Sequence, residues 1–242
     1  MNKNMGIPWV EKYRPKKFEN IILDPINKKL LENIMKYNYF PNLLLYGPPG
    51  TGKTTTIINL IKRYQEINNQ NRKNLKIHLN ASDDRGIDII RHQITEFVNA
   101  NSLFINGLKF VILDEVDYMT KNAQQALKYL IQTYSNNVRY CLICNYISRI
   151  DISLKNEFIH LRFCKVPSNE INKFLKNIVK QENILITNTE LKSIQNTYNT
   201  DIRSMINYIQ SNYHSLNKKK LIINDDKYEL LITKFKNKDK NI

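Results

Sequence analysis

Long apolar runs are missing from this chain: nowhere in its 242 residues do the roughly 18 consecutive apolar side chains of a membrane-crossing helix occur. The N-terminus, with Trp9, Glu11, Lys12 and Arg14, also lacks the apolar stretch of an export signal. With only 6 Gly and 7 Pro, collagen-like and low-complexity readings are excluded, and 3 Cys are too few for a disulfide scaffold. Alanine is scarce, whereas Asn and Ile each supply about one residue in seven, a skew that AT-rich coding produces and that inflates Lys as well. Acidic residues number 22 against 37 Lys and Arg, giving a formal charge of +15. Nucleic-acid binding needs basic residues gathered on one face, so the bulk charge alone leaves both a DNA or RNA partner and a merely solvated surface open. The expectation is a soluble, intracellular protein with one large or two small domains.

What is present is an alternation. LLLY at 43–46, KIHLN at 76–80, KFVILD at 109–114, VRYCLIC at 138–144 and FIHLRF at 158–163 have strand length and β-branched or aromatic content. Segments 53–67, 87–100 and 121–134 between them carry apolar residues at helical spacing, as in the stripe Ala123, Ala126, Leu127, Leu130, Ile131 and Tyr134. Strand and helix in alternation predict a parallel sheet covered on both faces. Past Pro167 only helical segments follow, at about 168–182, 188–199 and 201–213, each with a Ser, Asn or Asp suited to cap its start. An α/β domain to about residue 166 and then a small helical domain are expected, with a basic tail over 217–242 that includes a short helix near 225–235.

GPPGTGKT at 47–54 matches the pattern G-x-x-x-x-G-K-[ST] in full and sits between a strand and a helix. There, glycines let backbone N–H groups converge on phosphate oxygens, and the helix adds the positive end of its dipole. Lys53 is expected to reach the β- and γ-phosphates, and Thr54 to hold Mg²⁺. Such a loop needs acids at the end of another strand. KFVILDEVD supplies Asp114, suited to Mg²⁺, and Glu115, suited to orienting and deprotonating the attacking water. Asp-Glu rather than a lone Asp favours ATP hydrolysis over a kinase. The next strand ends in Asn145, which can help to place the water.

PWVEKYRP at 8–15, GPPGTGKTTT, LNASDDRGID at 79–88, LDEVDYMT at 113–120, NAQQAL at 122–127 and CNY at 144–146 together resemble the AAA+ small subunits of replication factor C, the eukaryotic and archaeal sliding-clamp loader. The likeness runs from about residue 7 to about 213. It implies an α/β AAA+ P-loop NTPase fold, a parallel sheet flanked by helices over 1–166, followed by a small all-helical lid domain over 167–216. It also implies ATP and Mg²⁺ as ligands, with Gly47, Pro48, Pro49, Gly50, Thr51, Gly52, Lys53, Thr54, Thr55 and Asn145 on the nucleotide. Val10, Tyr13, Arg14 and Pro15 match the segment that folds against adenine in the family, although an arm packed on the core fits them too. DIRSM at 201–205 makes Arg203 the candidate γ-phosphate sensor. Ser82 or Asp83 is suited to cap a helix with Arg85 and Arg91 near one edge. Those positions track primer–template DNA in the family, while an Asp84–Arg91 ion pair is the plainer reading. Leu103, Phe104 and Ile105 stand where the family touches the sliding clamp, and are equally compatible with a core. The implied partners are other clamp-loader subunits in a hetero-oligomer, a pentamer in the family, with the clamp and primer–template DNA; no membrane is involved. The implied compartment is the nucleus, or another one for a reduced or viral genome.

Two departures stand out. The position of the family's arginine finger, in a Ser-Arg-Cys tripeptide, holds Asn156, Glu157 and Phe158. This predicts an ATP site complete in cis but no activation of a neighbour in trans. Residues 217–242 also replace the expected helical collar, which puts pentamer formation in doubt. A branch-migration helicase of the same superfamily, or an ATP-binding scaffold with little turnover, are the competing readings. Cys141 and Cys144 form a C-x-x-C within an apolar strand and read as buried thiols rather than zinc ligands.

Overall fold

The computed structural model describes residues 6–70, 73–82, 87–100, 107–164 and 166–213. The helices are α1 (Trp9–Lys12), α2 (Pro25–Lys36), α3 (Lys53–Ile67), α4 (Ile87–Asn99), α5 (Lys121–Thr133), α6 (Ile152–Lys155), α7 (Ser168–Gln181), α8 (Asn188–Tyr198) and α9 (Ile202–Ser211). The strands are β1 (Leu43–Tyr46), β2 (Lys76–Asn80), β3 (Lys109–Asp114), β4 (Val138–Cys144) and β5 (Ile159–Arg162). The expected tail helix near 225–235 lies outside the described residues. No helix among the described residues is long and apolar enough to cross a membrane.

The described residues between 15 and 164 form one compact unit. Its five strands are all parallel in the order β2-β3-β4-β1-β5. Central strands are apolar on both faces because both faces are covered. Leu43 and Leu45 of β1, Phe110 and Ile112 of β3, and Cys141 and Ile143 of β4 join a core with α2 and α3. The alternate residues Leu44, Val111, Leu113, Tyr140 and Leu142 join a second core with α4, α5 and α6. Parallel pairing brings the carboxyl ends of β1, β2, β3 and β4 to one edge of the sheet, where an open α/β sheet binds its ligands.

Described residues 6–14 and 166–213 belong to a second, helical unit. The N-terminal segment thus groups with the helices rather than with the α/β domain to which the sequence pattern assigned it. Its partners explain this: the Trp9 N–H donates to Gln210 Oε1 at 2.9 Å, and the Trp9 ring meets Tyr213 edge-on at 6.0 Å. Lys12 and Tyr13 both donate to the Glu182 carboxylate. Of the three expected caps, only Asp201 acts, accepting from the Ser204 N–H at 3.0 Å. Helix α8 is capped by Thr187 in a reciprocal box with Glu190, one residue earlier than expected. Pro167 opens α7 with no side-chain cap, because Ser168 is already inside the helix and the Pro167 carbonyl accepts from the Glu170 and Ile171 N–H groups.

Candidate functional site

The segment from 47 to 52 turns sharply between β1 and α3. Gly47, Gly50 and Gly52 hold φ values of 143°, 75° and 86°, in the left-handed region that disfavours other residues. At Gly47 a Cβ would stand 2.0 Å from the Phe163 carbonyl oxygen, so the close pass of β5 also demands glycine. Gly52 occupies the cap position of α3 without any capping side chain, which leaves the first amides of the helix for another acceptor. Pro48 and Pro49 are exposed, and Thr51 donates its hydroxyl to the Pro48 carbonyl at 2.9 Å. Lys53 is only 7% exposed. Its ammonium donates to the carbonyls of Gly47 and Pro48, both at 2.8 Å, and to Asn145 Oδ1 at 3.0 Å. The end of β4 is thereby tied to the loop after β1. Thr55 is half-buried in the first turn of α3.

Thr54 donates its hydroxyl to Asp114 Oδ2 at 2.7 Å, joining α3 to the end of β3. Burial pushes the Asp114 carboxyl up, but His78, the Thr54 hydroxyl and the Glu115 N–H together outweigh it and hold the group below its ordinary range. His78 Nε2 stands 3.9 Å from Oδ2, beyond hydrogen-bond reach, so it acts there as a charge when protonated. A hydroxyl and a carboxylate are the hard oxygen donors that Mg²⁺ takes. Among the described residues there is no group of three or more His, Cys, Asp or Glu that could hold a metal ion.

Glu115 adopts a left-handed backbone, φ 59°, a conformation costing roughly 1–3 kcal/mol for a non-glycine residue and concentrated at functional sites. Its carboxylate accepts from Ser82 Oγ at 2.5 Å, just past the end of β2. Of the two cap candidates for α4, Ser82 also has its N–H and hydroxyl 3.1 and 3.0 Å from Asn80 Oδ1, and Asp83 lies outside the described residues. The site thus gathers Lys53 and Thr54 at the start of α3 with Asp114, Glu115 and Asn145 at the ends of β3 and β4. Two further residues escaped the sequence reading. Asp117 accepts from the N–H groups of Asn145 and Tyr146. Buried Gln124 donates to the Met119 and Arg149 carbonyls and accepts from the Asp151 N–H at 2.7 Å. Both lie within strings already noted, LDEVDYMT and NAQQAL, where nothing in their spacing marks them as buried.

The other candidate residues are placed as follows. Val10 and Tyr13 pack on the core of the helical unit, with the Tyr13 phenol held protonated by burial and by its bond to Glu182. Arg14 lies 3.4 Å from Glu11, and the Pro15 carbonyl accepts from Asn59 Nδ2 at 2.9 Å. Arg203 is exposed in the first turn of α9, and Arg91 is exposed on α4. Arg85, Leu103, Phe104 and Ile105 lie outside the described residues. Glu157 accepts from Gln132 Nε2 at 2.8 Å, on the α5 side of β5. Cys141 and Cys144 are both buried; burial, followed by the charge of Asp117, pushes the Cys144 thiol up to about 12.

Residues 43–166 match the model of the ATPase family associated with various cellular activities (AAA). Replication factor C subunit 3 of Schizosaccharomyces pombe is 38% identical over 205 residues, which cover 85% of this chain and 59% of that protein. Replication factor C subunit 5 of Homo sapiens is 39% identical over 209 residues, covering 86% of this chain and 61% of that protein. The chain thus spans about three-fifths of the length of the curated relatives it matches. Among solved structures, a variant of Thermotoga maritima RuvB is similar with a TM-score of 0.62 at 15% identity, over 82% of this chain and 64% of that one. At that identity the likeness is one of fold alone.

Proposed function

Because the chain belongs to the ATPase family associated with various cellular activities, we propose that it binds and hydrolyses ATP on the 47–54 loop as a small subunit of a sliding-clamp loader of the replication factor C type. The observation that carries the reading is the convergence of Lys53 on Asn145 and of Thr54 on Asp114, which assembles the loop with the ends of two further strands. In this reading Lys53 exchanges the Gly47 and Pro48 carbonyls for phosphate oxygens, and the uncapped α3 amides bind the same phosphates. Thr54 and Asp114 hold Mg²⁺, which neutralises phosphate charge. Glu115 leaves Ser82 to orient and deprotonate the attacking water, while Asn145 presents its amide to the γ-phosphate. Arg203 serves as a second γ-phosphate contact from the helical unit. A cation in the first turn of a helix gains nothing from the dipole, so a phosphate partner gives it a purpose. Val10, Tyr13, Arg14 and Pro15 lie against adenine.

The partners in this reading are other loader subunits in a hetero-oligomer, the sliding clamp through Leu103, Phe104 and Ile105, and primer–template DNA through Arg85 and Arg91. The compartment is the nucleus. The helicase alternative is not favoured, since the curated relatives carry replication factor C names. The scaffold reading retains support from Glu115, whose carboxylate is tied to Ser82, and from the carboxylate of Glu157 at the finger position. Single-turnover ATP hydrolysis by the chain reconstituted with its partner subunits decides between them. Stimulation by clamp and primed DNA together is expected for the loader, and absence of turnover in either condition would sink it in favour of the scaffold.

A further inference from the structure

The turn between β3 and α5 contains a carboxylate with no part in the chemistry above. Asp117 is 5% exposed. Its Oδ2 accepts from the Asn145 N–H at 3.3 Å and the Tyr146 N–H at 3.2 Å. Its Oδ1 is buried with no hydrogen-bond partner among the described residues. A buried carboxylate with one unmatched oxygen is a poor choice for stability, since an apolar side chain of similar volume would cost less. Packing therefore gives no reason for an acid at this position. The two amides it holds do.

Asn145 and Tyr146 lie just past the end of β4, whose last paired residue is Cys144 opposite Tyr46. Their N–H groups have left the ladder, and Asp117 is the acceptor that fixes them. The same Asn145 accepts from the Lys53 ammonium through its side chain. Two residues before Asp117 stands Glu115 in its left-handed conformation, and the turn is closed by the Tyr118 N–H on the Glu115 carbonyl at 3.0 Å and the Met119 N–H on the Val116 carbonyl at 3.1 Å. Asp117 is thus the link between the turn that carries Glu115 and the strand end that carries Asn145. Polar groups near it include Asn145, Tyr146 and the thiol of Cys144, with the Lys53 ammonium beyond Asn145.

We infer that Asp117 is a positioning residue that couples γ-phosphate recognition at Asn145 to the placement of Glu115, by holding the Asn145 backbone on the Glu115 turn. This rests on the 47–54 loop being an ATP site. An Asn at 117 keeps one oxygen for the two amides and puts an NH₂ where the unmatched oxygen was, whereas Ala and Ser lose the reach.

The test uses the full chain with Asp117→Ala, Asp117→Ser, Asp117→Asn, Asn145→Ala and the Asp117→Ala/Asn145→Ala pair. Affinities for ADP and for a non-hydrolysable ATP analogue are measured by titration, with a thermal melt for each variant. The wild type should prefer the analogue. Asp117→Ala and Asp117→Ser should cut that preference by about tenfold, the scale of one hydrogen bond to a charged group, while ADP affinity stays within about twofold. Asp117→Asn should restore most of the preference, and the double variant should lose no more than Asn145→Ala alone, because both act through one contact. If Asp117→Ala does not fold, Asp117→Ser carries the same expectation. An unchanged preference, equal weakening for both nucleotides, or additive losses in the double variant each overturn the coupling. A wild type that binds neither nucleotide overturns the ATP site itself, an outcome distinct from a nucleotide-binding wild type whose preference ignores residue 117.

Discussion

Two glycines that look equivalent in the motif should respond very differently to the same added methyl group. At Gly47 the new Cβ would lie 2.0 Å from the Phe163 carbonyl oxygen and 2.8 Å from its carbonyl carbon, both backbone atoms. The Phe163 N–H also donates to the Tyr46 carbonyl at 2.7 Å, one residue before Gly47, so β5 cannot retreat without breaking that bond. The clash must be relieved by more than an ångström of backbone movement. Strain at φ 143° adds roughly 1–3 kcal/mol, and overpacking against a fixed neighbour another 1–3 kcal/mol. At Gly52 no heavy atom of the described residues lies within 4 Å of the added Cβ, and the left-handed backbone at φ 86° resists, at roughly 1–2 kcal/mol. Gly47→Ala should therefore lower stability to urea by about 2–6 kcal/mol, and Gly52→Ala by about 1–2 kcal/mol. Amide exchange at Phe163 should accelerate in the first variant only. Equal losses of stability would show that the approach of β5 does not fix Gly47 and that backbone conformation alone decides both positions.

Ser82→Ala frees the Glu115 carboxylate from a bond of a kind worth roughly 1.5–3 kcal/mol. Basal ATP hydrolysis should rise several-fold, whereas a fall would mean that Ser82 holds Glu115 in its working position. For Asp114 the folded carboxyl titrates below its ordinary range, so its stabilisation is complete above the unfolded value of about 4 and fades as pH falls through the folded one. Without Mg²⁺, the stability gap between wild type and Asp114→Asn should be constant near neutrality and close below about pH 4; a gap that widens in acid contradicts the assigned direction. The Lys109 ammonium donates to the carbonyls of Phe97, Val98 and Ala100 at the end of α4, at 2.8–2.9 Å. Lys109→Met should cost about 2 kcal/mol and raise amide exchange in the last turn of α4, with a change under about 0.5 kcal/mol counting against the cap. Glu157→Arg in an assembly reconstituted with neighbouring subunits should raise the neighbour's turnover at least tenfold, against a ceiling of about 10³–10⁵ for an arginine finger. No gain would mean that this face meets no nucleotide.

What was legible in the sequence is what local periodicity and short motifs encode. The strand LLLY, the loop GPPGTGKT and the helix from Lys53 to Ile67 fall where the apolar pattern and the glycines put them. That happens because each is decided by neighbours a few residues away. The N-terminal segment was misassigned for the opposite reason. Its partners Glu182 and Gln210 lie 170 and 201 residues further along the chain, and no composition or period near Trp9 points to them.

The candidate site divides along the same line. Lys53, Thr54, Asp114 and Glu115 were readable because loop and acids each carry a pattern of their own. Ser82 is one of two cap candidates because helix α4 follows it in sequence, and its bond to Glu115 could not be read there, since it exists because β2 and β3 are neighbours in the sheet. Asp117 stands two residues after Glu115 in the string LDEVDYMT, and only the packing of the β3–α5 turn against the end of β4 buries it. Spacing alone cannot separate an exposed carboxylate from one aimed at two backbone amides. The distinction lies in which strand ends the sheet order brings together, and the residues that couple one strand end to another are therefore the last part of such a site to be read from sequence.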